Sequence, residues 1–343
     1  MNRVVLLFVL LVTAPEAVSA QQPTSKRPVA TYSIVARDAG TGEMGVAVQS
    51  HWFSVGAIVP WAEAGVGAVA TQSFVEPSYG PLGLELMRMG RSAPDALRAL
   101  VSTDADESVR QVAMIDATGV VAAHTGSMAI QAAGHRLGDG YSTQANMMEN
   151  ATVWDAMARA YEGSDGDLAE RLLAALEAAQ QAGGDIRGRQ SAALIVVSAE
   201  STGAPWIDRR FDLRIEDHPT PVVELRRLVT LQRAYLKLNE GDGWVTKGDL
   251  ERAMEAYAVA MDLVPDEATN GEAPFWVGVT LAASDRAAEA LPYLRRAYAQ
   301  DPNWAELLMR LPAAELLPSI QLAEELAEAM SGGLFSEGFF HNP

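Results

Sequence analysis

Near its start the folded part of the chain alternates apolar and polar side chains. Tyr32, Ile34 and Ala36 alternate with Thr31, Ser33 and Val35, and a period of two marks a strand. Thr41-Gly42 supplies a turn, after which 44–49 reads as a second strand. Residues 57–60 and 65–72 read as two further short strands. Short strands joined by tight turns make hairpins, and hairpins make an antiparallel sheet. Small or apolar residues occupy both faces, as expected of a sheet covered on both sides.

The period then shifts toward that of a helix. Leu82, Leu86 and Met89 share one helical face. Ser92-Ala93-Pro94-Asp95 opens a second helix, with Ser92 as N-cap and Pro94 in the first turn. Strands return at 109–116 and 120–124, linked by Ala117-Thr118-Gly119. Helices are predicted over 151–161 and 166–181, the second buried along Leu168, Leu172, Leu173 and Leu176. Strands at 192–198 and 211–216 complete the region. Strands and helices come in runs rather than in strict alternation. That order predicts a layered α+β domain over 29–217, with hairpins and paired helices stacked as a four-layer sandwich.

At His218-Pro219-Thr220-Pro221 two prolines mark a linker, and the stretch 222–330 beyond it reads as helical. Leu225, Leu228, Leu231 and Leu238 form its first stripe. Ala253, Tyr257, Ala260 and Pro265 are spaced 4, 3 and 5 residues apart, and Ala290, Leu294, Ala297 and Pro302 repeat that spacing 37 residues later. Gly241 and Gly278 precede the two blocks by 12 residues each. Small residues at these places let paired helices approach, and proline ends the unit. The pattern resembles two tetratricopeptide-like repeats, with an ordinary pair of helical hairpins as the alternative. Residues 331–343 form a short tail.

The first twenty residues read as a signal peptide. Arg3 provides the positive region, 4–12 is an unbroken apolar run, and Val18-Ser19-Ala20 provides the small residues for cleavage after Ala20. The run is too short to span a bilayer comfortably. Export to the periplasm or the medium is therefore expected, with no membrane attachment after cleavage. Residues 21–28 read as a flexible leader.

Composition narrows the chemistry. The net charge of -18 repels phosphate backbones, so nucleic acid is not an expected partner. There is no cysteine, which excludes thiol nucleophiles, thiolate metal sites and disulfides. Five histidines and no HExxH pair give a zinc protease no support. No GxSxG, GxGxxG or Walker sequence occurs. No metal or organic cofactor is implied.

Polar residues in strand and glycine contexts stand out instead. They form ordered blocks: Thr31-Tyr32-Ser33, Gln49-Ser50, Thr71-Gln72-Ser73, His124-Thr125-Gly126, Gln144-Ala145-Asn146, and 184–191 with Asp185, Arg187, Arg189, Gln190 and Ser191. Over about 30–217 these blocks resemble the domain of unknown function 1028 family, which is grouped with the N-terminal-nucleophile (Ntn) hydrolases. A helical or peptidoglycan-binding tail often follows in that family.

The resemblance implies a four-layer αββα sandwich. It also implies a mechanism, in which the nucleophile is the residue at the mature N-terminus and its own α-amine is the general base. An α-amine titrates near pH ~8, close enough to neutrality to accept a proton. Thr31 matches the family's start. Signal cleavage leaves Gln21 at the terminus, ten residues upstream of Thr31. Catalysis by Thr31 thus requires a second cut between Ala30 and Thr31, by self-processing or by another protease. Otherwise Thr31 is a β-branched strand residue.

The other blocks are given roles by hypothesis from their residue types. Asn146 and backbone amides near Gly126 would form an oxyanion hole, or else serve turns. Arg187 and Arg189 would grip a substrate carboxylate, or else Asp185 pairs with them. Gln190 and Ser191 would face a pocket, and His51 with Trp52 would line it. Ser33, Ser50, Gln72 and Thr125 complete the substrate-binding candidates. His124 reads as structural. The implied activity is hydrolysis of a small amide or peptide-like substrate. The alternative is a non-catalytic binding protein whose helical tail takes a protein or peptidoglycan partner, and a homo-oligomer fits either.

Overall fold

The computed structural model describes residues 28–29 and 31–332. The expected signal peptide, the leader up to residue 27 and the tail beyond 332 lie outside the described residues.

The elements run along the chain in five groups. The first is β1 (Thr31–Arg37), β2 (Met44–Ser50), β3 (Pro60–Glu63) and β4 (Gly67–Ser73). Next come α1 (Tyr79–Arg88) and α2 (Ala93–Val101). Four strands come after them, β5 (Arg110–Asp116), β6 (Val121–Thr125), β7 (Gly134–Gly138) and β8 (Tyr141–Asn146). Then come α3 (Val153–Gly163), α4 (Leu168–Gln181), β9 (Ser191–Val197), α5 (Pro205–Asp208) and β10 (Arg209–Ile215). The remainder is α6 (Pro221–Thr246), α7 (Leu250–Leu263), α8 (Glu272–Ala283), α9 (Ala287–Gln300), α10 (Asn303–Leu308) and α11 (Ile320–Met330).

The strands form two mixed-order antiparallel sheets, β10-β9-β2-β1-β8-β7 and β3-β4-β5-β6. Period-two alternation decides what each face meets. Tyr32, Ile34 and Ala36 pack with Met157, Leu172 and Leu176 of α3 and α4. The opposite faces of β1, β2 and β9 put Val35, Val46, Val48 and Ile195 against Ala70, Ala113 and Ile115 of the smaller sheet. The outer face of that sheet, Val69 and Met114, is covered by Leu84, Met87, Ala96 and Leu97 of α1 and α2. Each buried Val or Ile contributes roughly 1.5–3 kcal/mol, so apolar layers hold the sheets together and the helices onto them.

Local departures from the sequence reading have physical causes. The expected strand at 57–60 is a 3-10 turn over Val55–Ala57, and β3 starts at Pro60, the first-strand position where a missing N–H costs nothing. Gly65 belongs to the hairpin turn, with φ of 72°, rather than to β4. The expected face of Leu82, Leu86 and Met89 is wrong, since Leu82 and Met89 are exposed. The helix turns Gly83, Leu84 and Met87 to the sheet instead. A Cβ at Gly83 would sit 2.8 Å from Met114 Cε, so closeness rather than bulk sets that face. Strands β7 and β8 were not foreseen.

The linker expected at 218–221 is short, because the chain passes directly into a helix at Pro221. Helix α6 starts at Pro221 and runs 26 residues, roughly 39 Å, without a break. Its first turns bury Val222, Leu225 and Val229 in the core of the larger sheet. Its later part buries Leu238 in a separate helical core with Tyr257, Phe275, Leu294 and Leu326.

Helices α6 and α7, then α8 and α9, pair through equivalent contacts. A Cβ on Gly241 would fall 2.3 Å from the Tyr257 ring, and one on Gly278 would fall 2.7 Å from Leu294. Gly243, two residues along the same helix, has nothing within 4 Å of an added Cβ. Gly241→Ala is therefore expected to destabilise the helical region by about 1–3 kcal/mol through overpacking. Gly243→Ala should instead stabilise it by about 0.5–1 kcal/mol, because alanine restricts the unfolded chain. Urea unfolding monitored by far-UV circular dichroism measures both, and equal effects of the two substitutions would contradict this packing.

Candidate functional site

The space between the sheets is apolar at one end and polar at the other. Thr31 opens β1 in the middle of the larger sheet, opposite Ser50 of β2 and Asn146 of β8. Ser33 lies opposite Gln144. The same alternation that aims Val35 at the smaller sheet aims Thr31 and Ser33 there too. From the other side come Gln72 of β4, Gln111 of β5 and Thr125 of β6, on the face that carries Ala70, Ala113 and Ala123.

These side chains form one hydrogen-bonded network. Gln72 Nε2 donates to Gln111 Oε1 at 2.7 Å and to the Thr31 carbonyl at 3.2 Å. Ser33 donates to Gln72 Oε1 at 2.6 Å and accepts from Gln144 Nε2 at 2.6 Å. Gln111 Nε2 donates to Thr125 Oγ1 and the Ala145 carbonyl, both at 2.9 Å. Asn146 Nδ2 donates to Gln111 Oε1 at 3.0 Å. Ser142 donates to Gln144 Oε1 at 2.8 Å. Buried polar groups are costly unless bonded, so a connected network fixes the relative position of the two sheets.

His135 closes one end, its Nδ1 2.8 Å from Thr125 Oγ1. Burial, with His124 as a second cause, lowers its pKa below the ordinary histidine value. A neutral Nδ1 accepts from the Thr125 hydroxyl, which in turn accepts from Gln111. His124 instead contacts the Glu107 carbonyl at 2.9 Å, in keeping with a structural role.

Around Thr31 the polar atoms are less complete. The Thr31 hydroxyl donates to the Val29 carbonyl at 2.9 Å. Ser73 Oγ, Asn146 Oδ1 and His51 Nδ1 are buried with no hydrogen-bond partner among the described residues. Ser73 also has a left-handed backbone, with φ of 72°. Unpartnered buried groups are uncommon, and Asn146 stands directly opposite Thr31 in the sheet.

The mouth is organised by Asp185. Its carboxylate accepts from the His51 amide at 3.0 Å and from Arg187 Nη2 at 2.9 Å and Nε at 3.1 Å. Arg187 Nη1 reaches the Pro28 carbonyl at 3.4 Å. Ser191 accepts from the Val55 amide at 3.1 Å and donates to the Trp52 carbonyl, which pins the loop after β2. A cavity of about 530 Å³ lies here, lined by Pro28, His51, Trp52, Phe53, Met147 and Gln190 together with Arg187.

The structure thus gathers Thr31, Ser33, Ser50, Gln72, Thr125 and Asn146 between the sheets, and His51, Asp185, Arg187 and Gln190 at the mouth. Two expected roles meet other partners in the structure. The Arg187 fork is engaged by Asp185, the pairing that the sequence offers as the alternative, and Arg189 is exposed. The amides of Gly126, Met128 and Ala129 are bonded to the carbonyls of Arg110, Ser108 and Gly126, so they are not oxyanion donors. Gly126 is required for packing, since a Cβ would lie 2.2 Å from the Ser108 carbonyl oxygen. Ser191 holds a loop rather than facing the cavity. Sequence reading missed Gln111 and His135, and it named Ser73 only as part of its block, with no role. Gln111 was findable as the one polar residue on the inward face of Gln111, Ala113 and Ile115. Among the described residues, no group of three or more His, Asp or Glu side chains is placed to hold a metal.

The model of a family of unknown function, DUF1028, matches residues 31–225. The crystal structure of protein SPO2555 from Silicibacter pomeroyi, assigned to the same family, is 32% identical with a TM-score of 0.52. The likeness covers 58% of this chain and 88% of that one. No curated protein matches. The family match starts at Thr31 and runs into the first turns of α6. Through this region, which carries both sheets and the whole polar network, the chain belongs to the DUF1028 family.

Proposed function

We propose that the chain is an exported amide hydrolase of the N-terminal-nucleophile type, with Thr31 as nucleophile. One observation carries the reading: Thr31 heads a central strand, fully buried, opposite Asn146, whose Oδ1 has no hydrogen-bond partner among the described residues. Two sheets covered on their outer faces by helices fit the αββα sandwich of that class.

A cut between Ala30 and Thr31 turns the Thr31 nitrogen from an amide into an amine. The amine takes the hydroxyl proton as Oγ1 adds to the substrate carbonyl carbon. The carbon–nitrogen bond then breaks, and the leaving amine departs with that proton. Water adds to the resulting ester, its proton passes to the α-amine, and the ester bond breaks. A carboxylic acid is released and the threonine hydroxyl is restored. We assign Asn146 as a side-chain donor to the oxyanion through the Nδ2 hydrogen whose present bond is the longer one, 3.5 Å to the Thr31 carbonyl against 3.0 Å to Gln111 Oε1, so that this bond is exchanged for one to the oxyanion.

The intact mass of the protein from an exporting host tests this. The expected mass is that of residues 31–343. A mass of residues 21–343 would leave Thr31 in a peptide bond and overturn the reading.

That second outcome would favour a binding protein. The observation behind this alternative is a cavity of about 560 Å³ between α6 and α8, lined by Tyr235, Trp276, Val279 and Leu316. Together with the matched Gly241–Tyr257 and Gly278–Leu294 contacts, it supports reading α6–α9 as two tetratricopeptide-like units with a protein or peptidoglycan partner.

A further inference from the structure

We propose that the site takes an extended peptide, rather than a compact amide, and that its acyl half lies where Pro28 and Val29 now lie. The inference rests on the hydrolase reading above. The segment before Thr31 behaves as a bound peptide would. The Val29 amide donates to the Ser73 carbonyl at 2.5 Å, and the Ser73 amide donates to the Val29 carbonyl at 3.1 Å. That is a two-bond antiparallel bridge to the end of β4, across from the sheet that holds Thr31. Pairing of this kind binds peptides through main-chain groups, with side-chain pockets adding selectivity.

The side chain of Val29 is fully buried in the apolar layer between the sheets. One residue further out, the Pro28 carbonyl meets Arg187 Nη1 at 3.4 Å, and the cavity continues past His51, Trp52 and Phe53. Val29 and Pro28 therefore meet an apolar slot, a main-chain ladder rung and one cationic donor in succession.

The chemistry says what replaces it. If Thr31 Oγ1 adds to the Ala30 carbonyl and the Ala30–Thr31 carbon–nitrogen bond breaks, the acyl group passes from nitrogen to oxygen. The proton lost by the hydroxyl ends on the new α-amine. The ester formed carries the leader's own Val-Ala acyl end. A substrate ending in Val-Ala-amide gives the same ester. Once hydrolysis releases the leader, the Ser73 amide and carbonyl lose their partners, and a peptide restores both.

The selectivity is set position by position. The residue next to the scissile carbonyl's own should be small and apolar, like Val29. The one beyond must offer a carbonyl to Arg187. A single acylated residue lacks the amide that pairs with Ser73, the buried side chain and that carbonyl.

The test uses protein released from a tag so that Thr31 is its first residue. The probes are acetyl-Arg-Pro-Val-Ala-aminomethylcoumarin and acetyl-Ala-aminomethylcoumarin, together with fluorescein-labelled Arg-Pro-Val-Ala peptide. We expect kcat/KM to favour the longer probe by about 100-fold or more, from two hydrogen bonds and one buried valine. Equal rates would overturn the peptide groove and leave the hydrolase reading intact. Binding of the labelled peptide without turnover of either probe would leave the groove and overturn the hydrolase. Neither binding nor preference would overturn the groove.

The uncut full chain supplies a second measurement that does not need the shortened protein to fold. Its own leader should exclude the labelled peptide, and Val29→Asp, which charges the buried side chain, should admit it. Equal binding to both would overturn the proposal.

Discussion

Thr31→Ala, in protein beginning at residue 31, is expected to lower amide hydrolysis by roughly 10⁴-fold or more, because the change removes the attacking atom itself. The fold should barely respond. The Thr31 hydroxyl bonds the Val29 carbonyl in the uncut chain, and that carbonyl leaves with the segment before residue 31, so alanine takes away no side-chain bond that the shortened protein keeps. A stability change within about 1 kcal/mol is expected. Thr31→Ser keeps the nucleophile and should stay within about tenfold of the parent. Rates on a peptide coumarin amide, measured beside thermal unfolding, separate the chemistry from the fold. Alanine protein that retains most of its activity would remove Thr31 from the mechanism.

Gln111→Ala should show the reverse, a large loss of stability. Gln111 accepts from Gln72 and Asn146 and donates to Thr125 and the Ala145 carbonyl. It is fully buried between the sheets. Alanine leaves several of these groups without a partner, at about 1–3 kcal/mol each before relaxation, and leaves a cavity as well. Gln72 retains the Thr31 carbonyl and Thr125 retains His135, so the net expectation is about 3–5 kcal/mol. At roughly 2–4 °C per kcal/mol for a domain of this size, the unfolding midpoint should fall by about 10 °C. Val223→Ala, on the exposed side of α6, should leave it unchanged. Gln72→Ala combined with Gln111→Ala should cost less than the sum of the two, because they share a bond. Strict additivity would mean the network is not connected as described.

Much of the architecture was legible in the chain itself. Alternation placed β1, β2, β5, β6, β9 and β10 within a few residues, and the leucine stripe of α4 is buried as read. The Ser92 side chain accepts from the Asp95 amide, as an N-cap does. These are local effects: side-chain period, capping and turn chemistry act within a few residues. The two glycines at 241 and 278 were visible as a repeat, yet only the packing shows that each lies beneath a residue of the next helix.

The site divides along the same line. Its residue types were legible as polar side chains in strands that otherwise read as apolar. Strand β8 was not, because Ser142, Gln144 and Asn146 make its inward face polar and erase the apolar signature of a central strand. Gln72 and Gln111 are 39 residues apart, and Arg187 and Pro28 are 159 apart. No periodicity carries information over such distances. Local sequence thus determined which segments are strands and which faces they bury. Only the closing of one sheet on the other decided which polar groups meet, that Asp185 engages Arg187, and that Val29 bridges to Ser73. Those outcomes depend on hydrogen bonds between segments that become neighbours only when the apolar layer between the sheets forms.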